Sequence, residues 1–217
     1  MTPSHWIITA HGADQPISGT AVLVGSAPTI EVIAHSLAQI NRFTGHATRP
    51  YSVAEHSMLV CDIVAGMGLS PAAQLAALMH DAHECLTGDV ASPIKWALGT
   101  AWMAFENPLA LLMRKHYGLH ATYTGHRAAI KRADLIALAT ERRDLTRFDP
   151  ATNAPWPILD TPGAQVLPLD TVDLNSPVRT AMTWRYHRDA FLERYHSLQA
   201  RINFTPTNLT PPIEATP

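Results

Sequence analysis

Cysteine is nearly absent from this chain, with Cys61 and Cys85 the only two in 217 residues. They form no CxxC pair and suggest no disulfide framework, so a reduced, cytoplasmic setting is expected. Charge is also scarce. Charged residues make up 16%, and the net charge is -2 with histidine neutral. Without a basic excess, no nucleic-acid-binding face is expected. A negatively charged ligand would have to be held by a few local Arg and Lys. No apolar run reaches the roughly 18 residues of a membrane span. The start, MTPSHWIITAHGADQP, has no basic segment leading into an apolar one, so no signal peptide is expected.

Apolar residues, at 47%, are enough for a real core in a single domain, and twelve histidines are many for this length. Residues 1–28 read as an extension in which Trp6-Ile7-Ile8 and Ala21-Val22-Leu23-Val24 pair as a hairpin. Helical spacing then dominates. Residues 29–41 place Ile30, Ile33, Ala34, Leu37 and Ile40 on one face behind Thr29. Ser52-Val-Ala-Glu55 reads as a capping box, opening a helix with His56, Leu59, Val60, Ile63 and Met67 on its buried stripe. Ser70-Pro71 starts a helix expected to run to Gly88. Further helices are expected near 100–117, 125–147 and 178–203. Six prolines make 149–177 a loop, functional or mobile. The Pro- and Thr-rich end, 204–217, reads as a disordered tail.

Ionisable groups on apolar helix faces need a partner. His56 and Asp134 occupy such faces on separate helices, and Asp134 shares its stripe with Ile130, Ala137 and Leu138. On the 70–87 segment, His80, His83 and Glu84 stand at i, i+3 and i+4, with Asp81 about 100° around from His80. The set His56, His80, Asp81 and Asp134 is two imidazoles and two carboxylates. Such mixed N/O ligation suits Mn, Fe, Co, Ni or Zn better than Ca, and leaves open positions for water and a phosphate oxygen. Taken singly, each residue also reads as a core histidine or a capping aspartate.

In its order along the chain, His56…His80-Asp81…Asp134 resembles the HD superfamily of metal-dependent phosphohydrolases. Glu55-His56-Ser57, His80-Asp81-Ala82-His83-Glu84, Thr87-Gly88-Asp89, Pro93-Ile94-Lys95 and Lys131-Arg132-Ala133-Asp134 resemble successive motifs of bacterial 5′-deoxynucleotidases and phage dATP triphosphohydrolases. The segment Asn41-Arg42-Phe43-Thr44-Gly45-His46 is most similar to the phage branch. The resemblance implies an all-α fold, an HD-domain helical bundle over 29–203 with the small N-terminal β-hairpin ahead of it. It implies His56, His80, Asp81 and Asp134 as metal ligands and Glu84 as the group assisting the attacking water, or else a structural glutamate. Asp89 would act on water or the leaving oxygen, help hold a second ion such as Mg, or cap a helix end.

The resemblance also implies Arg42 as a phosphate-binding residue, with Phe43 where the deoxynucleotidases carry Trp against the sugar. His46 or Arg49, with Lys95 and Lys131, are further candidates for phosphate contact. Lys131 also reads as a salt-bridge partner of Asp134. The implied activity is hydrolysis of a 2′-deoxynucleotide, most simply dNMP to deoxynucleoside and phosphate. Triphosphohydrolysis of dATP is the rival within the same chemistry, and a non-catalytic nucleotide sensor the rival outside it. A homo-oligomer is expected from the resemblance and from the dense apolar run Trp96, Trp102, Met103, Phe105, Leu111, Leu112 and Met113.

Overall fold

The computed structural model describes residues 5–18 and 27–204, and it is mostly helical, with one small antiparallel hairpin. In the hairpin, β1 (Trp6–Ile8) pairs with β2 (Asp14–Pro16), Trp6 opposite Pro16 and Ile8 opposite Asp14. The partner of β1 is thus the polar strand beyond the Gly12 turn. Gly12 has φ +78, a conformation that glycine adopts without steric cost. The expected partner, Ala21–Val24, lies outside the described residues.

The helices largely follow the apolar spacing. α1 (Ile30–Leu37) buries Ile30, Ile33, Ala34 and Leu37. In α2 (Val53–Gly66) the Ser52 side chain accepts the Glu55 N–H, but Glu55 does not reach back. Its carboxylate is taken by Arg49, so the capping box is half formed. Met67 follows the helix end and is exposed, not buried. α3 (Pro71–Leu78) starts as expected, with Ser70 accepting the Ala73 N–H, but stops nine residues short of Thr87, where the short α4 (Glu84–Thr87) ends. Between them the amides of His80, Ala82 and Glu84 bond to carbonyls three residues back, the tighter 3₁₀ pattern.

The sequence reading did not anticipate α5 (Ser92–Leu98). α6 (Thr100–His116) and α7 (His120–Leu145) flank Gly118, whose φ of +67 ends the first of them. α7 begins before the expected residue 125. The single turns α8 (Pro157–Asp160) and α9 (Pro177–Thr180) each have proline in the first turn. α10 (Trp184–Asn203) starts from a Thr183 cap, so the helix expected over 178–203 is split.

α2 and α3 pack on each other; α7 lies against both, and α10 lies against α1, α2 and α3. One apolar cluster joins Ile33, Leu37, Leu78, Leu109 and Phe191; a second joins Tyr51, Val60, Ala77, Ile130, Ala137 and Leu145. The proline-rich segment is not a loose loop. Leu159, Val166 and Leu174 are buried, and burying such a side chain contributes about 1.5–3 kcal/mol. Its backbone is tied to α7: the Leu169 N–H donates to the Thr140 hydroxyl, and the Leu174 N–H to the Asp144 carboxylate. Of the apolar run on α5 and α6, Met113 joins the core while Trp96 and Met103 are more than half exposed. No helix among the described residues is long and apolar enough to cross a membrane.

Arg49 supplies the tie between this segment and α2. It is buried, donates to both Glu55 carboxylate oxygens at 2.9 and 2.7 Å, and donates to the Leu174 carbonyl at 3.0 Å. That corrects the expectation of a substrate-binding Arg49, because its donors are already committed. Arg49→Met should destabilise the fold by about 3 kcal/mol, since a buried carboxylate would lose its main partner. Arg179 and His187, at 3.4 and 3.5 Å from Glu55, keep the loss at the lower end of that class. Chemical denaturation measures it, and an unchanged midpoint would refute the role.

Candidate metal centre

Three segments bring the candidate ligands together. His56 lies in the first turns of α2, held there by the Ser52 cap; Asp134 lies mid-way along α7; His80 and Asp81 come from the turn between α3 and α4. The break at Met79 matters locally. On a continuous α-helix His80 and Asp81 diverge, whereas here His80 Nε2 comes within 3.0 Å of Asp81 Oδ2. His56 Nε2 is 3.6 Å from Asp81 Oδ2 and 3.4 Å from Asp134 Oδ1. Ligand atoms of His56, His80 and Asp134 all lie within 4.8 Å of one another, spacing that could hold a metal ion.

The donor set fits such an ion. His56 Nε2 and His80 Nε2 are both buried without a hydrogen-bond partner. The approach of His80 Nε2 to Asp81 is close but lacks hydrogen-bond alignment. On the far side of each ring, Nδ1 is already engaged: that of His80 contacts the Ala77 carbonyl at 2.8 Å, and that of His56 contacts Glu141 Oε1 at 2.5 Å. Anchoring Nδ1 fixes the ring and leaves Nε2 as the ligating atom.

Glu141 was missed by the sequence reading. It is fully buried on α7, seven residues after Asp134 and therefore two turns along the same face. That spacing was the available signal. Glu141 also accepts from Arg42 at 3.0 Å and from the Tyr51 hydroxyl at 3.1 Å.

Electrostatics here divide the acidic groups into two sets, Asp81 and Asp134 lowered and Glu84 and Asp89 raised. Burial and the Arg42 charge push the His56 imidazole down, but Glu141 and Asp134 more than offset them and raise it to about 10. Burial pushes Asp81 up, yet the His80 and His56 rings hold its carboxyl well below the usual range. Asp134 is likewise lowered, against burial, by His56 and His80. Glu84 goes the other way. Burial first, then the Asp81 and Asp89 charges, raise it well above an ordinary glutamate, and its Oε2 is buried without a partner. Asp89 is raised by burial and Asp81, with Arg42 opposing.

Arg42 borders this cluster, with Nη1 4.0 Å from Asp89. Phe43 follows it at φ 57, in contact with Trp156 at a ring separation of 6.4 Å. Lys95 Nζ lies 3.6 Å from Glu84 Oε1 and 2.6 Å from Glu106 Oε1. His83, outside the expected ligand set, has its Nε2 3.3 Å from Glu106. Glu106 was also missed; no apolar spacing marks it. His46 is exposed and its ring bonds none of these groups.

No family model matches the chain. Over 165 residues, 73% of this chain and 83% of the relative, it is 34% identical to an uncharacterized protein of Rhodobacter capsulatus. Over 131 residues, 60% of this chain and 67% of the relative, it is 38% identical to the uncharacterized protein YfdR of Escherichia coli.

Glu141→Gln keeps the shape but weakens the acceptor for His56 Nδ1, so divalent-metal affinity should fall about 10–100-fold. His56→Ala, Asp81→Ala and Asp134→Ala should each lose bound metal outright. Elemental analysis and metal titration of the purified variants measure both effects; full occupancy in Asp134→Ala would overturn the ligand set.

Proposed function

The chain belongs to the family of the Rhodobacter capsulatus and Escherichia coli proteins, and for it we propose metal-dependent hydrolysis of 2′-deoxynucleotides, as in the HD superfamily it resembles. The observation that carries this reading is the convergence of two buried, unpartnered imidazole nitrogens and two carboxylates beside a buried, unpartnered Glu84 oxygen. His56, His80, Asp81 and Asp134 would hold a transition metal such as Mn, Fe, Co, Ni or Zn. When bound, the ion supplies positive charge that acidifies a water and polarises a phosphoryl oxygen.

The chain's own residues do the rest. Glu84 in its ionised form accepts the proton of the attacking water, and its burial together with the Asp81 and Asp89 charges makes it a stronger base than an ordinary glutamate. Asp89 in its protonated form gives its proton to the leaving 5′-oxygen, and the proton taken up by Glu84 restores it before the next turnover. Arg42 has its Nε and Nη2 edge fixed by Glu141 and presents the remaining donors to phosphate. Asp89 would also help hold a second ion, such as Mg, brought with the substrate phosphates. The simplest products are deoxynucleoside and phosphate. A nucleotide sensor would need the ligands but not Glu84 and Asp89, which favours the enzyme. Ile94, Trp96, Leu98 and Met103, exposed on α5 and α6, suit a surface covered by a second copy.

Glu84→Ala should keep its metal and lose turnover roughly 10²–10⁴-fold. A phosphate-release screen across nucleotides and metals, with metal analysis, checks both; near-normal kcat would make Glu84 structural.

Phe43 presses an apolar ring beside Arg42. A 2′-hydroxyl placed there loses its water without gaining a partner, at about 1–3 kcal/mol, or roughly 5–150-fold in kcat/KM. Phe43→Ala should narrow the gap between dAMP and AMP. Equal rates on both substrates in the unmodified protein would remove the deoxy preference and leave phosphohydrolysis standing.

A further inference from the structure

A cavity of about 180 Å³ opens beside the candidate ligands. His80, Asp81 and Asp134 form one wall; Lys95, Arg114 and Lys131 enter from α5, α6 and α7. Ligand pockets of drug size take about 300–1,000 Å³, so this space suits a group of phosphate size and not a nucleoside. Two of its three cations are already paired. Lys95 contacts Glu106 at 2.6 Å, and Lys131 contacts Asp134 at 2.8 Å.

Arg114 is different. Among the described residues its side chain makes no hydrogen bond and no ion pair, and its buried Nε has no acceptor. It is held instead by stacking, with Cζ 3.8 Å from the centroid of the Tyr123 ring. The ring holds the guanidinium over its face while leaving the N–H donors uncommitted, an arrangement suited to bidentate oxyanion binding. The buried Nε is a donor that a bound oxyanion would satisfy. The Asn107 amide also lines the cavity and can donate.

We propose that Arg114, backed by Tyr123 and joined by Asn107, is an oxyanion subsite for a phosphoryl group adjoining the one attacked. A nucleoside polyphosphate then fills the site more completely than a monophosphate. The attack itself rests on the phosphohydrolase reading, whereas binding of the anion does not.

The test is calorimetric titration of the metal-loaded full chain with inorganic tripolyphosphate and, separately, inorganic phosphate, with metal content checked afterwards. Tripolyphosphate should bind more tightly than phosphate. Arg114→Gln should weaken tripolyphosphate roughly 10–100-fold, the range for losing charge-assisted hydrogen bonds, and Arg114→Lys should fall between. Equal affinity of the unmodified protein and Arg114→Gln for tripolyphosphate would overturn the subsite. A parallel loss for phosphate would show that Arg114 serves the attacked group and would overturn the tail assignment. Should Arg114→Gln not fold, a crystal of the unmodified protein with tripolyphosphate decides the matter, by whether an anion oxygen reaches the Arg114 guanidinium. In turnover, Arg114→Gln should raise KM more for dATP than for dAMP. Absence of hydrolysis of any nucleotide by the unmodified protein would remove the proposed reaction and leave the binding result intact.

Discussion

Charge buried among apolar helices is the constraint from which the rest of this structure follows. Glu141 has no exposure and His56 none either, so neither can rely on water. Arg42, Glu141 and His56 form one buried chain of contacts, and His56 passes it on to Asp81 and Asp134. Three carboxylates held ionised by their surroundings, Asp81, Asp134 and Glu141, face two sheltered cations, Arg42 and a protonated His56. Lys131 also touches Asp134, but it is more than half exposed and screened by water. Negative charge is in excess even before Asp89, 4.0 Å from Arg42, is added. Replacing the single proton on His56 with a divalent ion adds one positive charge and reduces that excess, which is the electrostatic reason the cluster suits a metal.

Part of this was legible from spacing, namely the inward faces of His56 and Asp134, whereas Glu141 was missed. His56 and Asp134 stand on apolar stripes of long helices, where period 3.6 is a strong signal. The break after Leu78 was not legible. Ala76, Ala77, Leu78, Met79 and Ala82 are all sound helix formers, and nothing in them announces a switch to i−3 bonding. Tertiary demand overrides local preference there, and the reward is the approach of His80 and Asp81. Glu55 misled in a similar way. Its position three after Ser52 is a sound capping-box signal, but a buried arginine outcompetes the Ser52 N–H for the carboxylate. The hairpin partner, three residues ending in proline, carries almost no strand signal at all.

The proline-rich segment shows how a stretch without regular structure can still be structural. It covers α7 through Leu159 and Leu174, and it receives Arg49 from the loop ahead of α2. It also brings Trp156 against Phe43. Phe43 and Thr44 both have positive φ, at 57 and 53, a conformation that disfavours residues with a Cβ. Such backbone persists only when neighbours hold it. Trp156 on one side and the Arg42–Glu141 bond on the other are the neighbours in contact. The loop 149–177 therefore bears on the candidate site without contributing a charged group to it.

Arg42 and Arg114 illustrate two ways of presenting a guanidinium near a buried cluster. Arg42 is anchored by charge. Its bonds to Glu141 place it and also consume one edge, and the Glu141 carboxylate offsets part of its attraction for an anion. Arg114 is anchored by an aromatic face, which orients it without neutralising it or occupying a donor. The first arrangement suits a group that must both steady a ligand-bearing histidine and touch substrate. The second suits a group whose partner is absent from the protein itself. Motif resemblance singles out the former, and its partner Glu141, in register with Asp134, was within reach of spacing rules although the sequence reading missed it. Spacing rules pass over the latter, since an arginine on a helix ordinarily reads as a solvated charge and only its stacking partner and its missing acceptor mark it out.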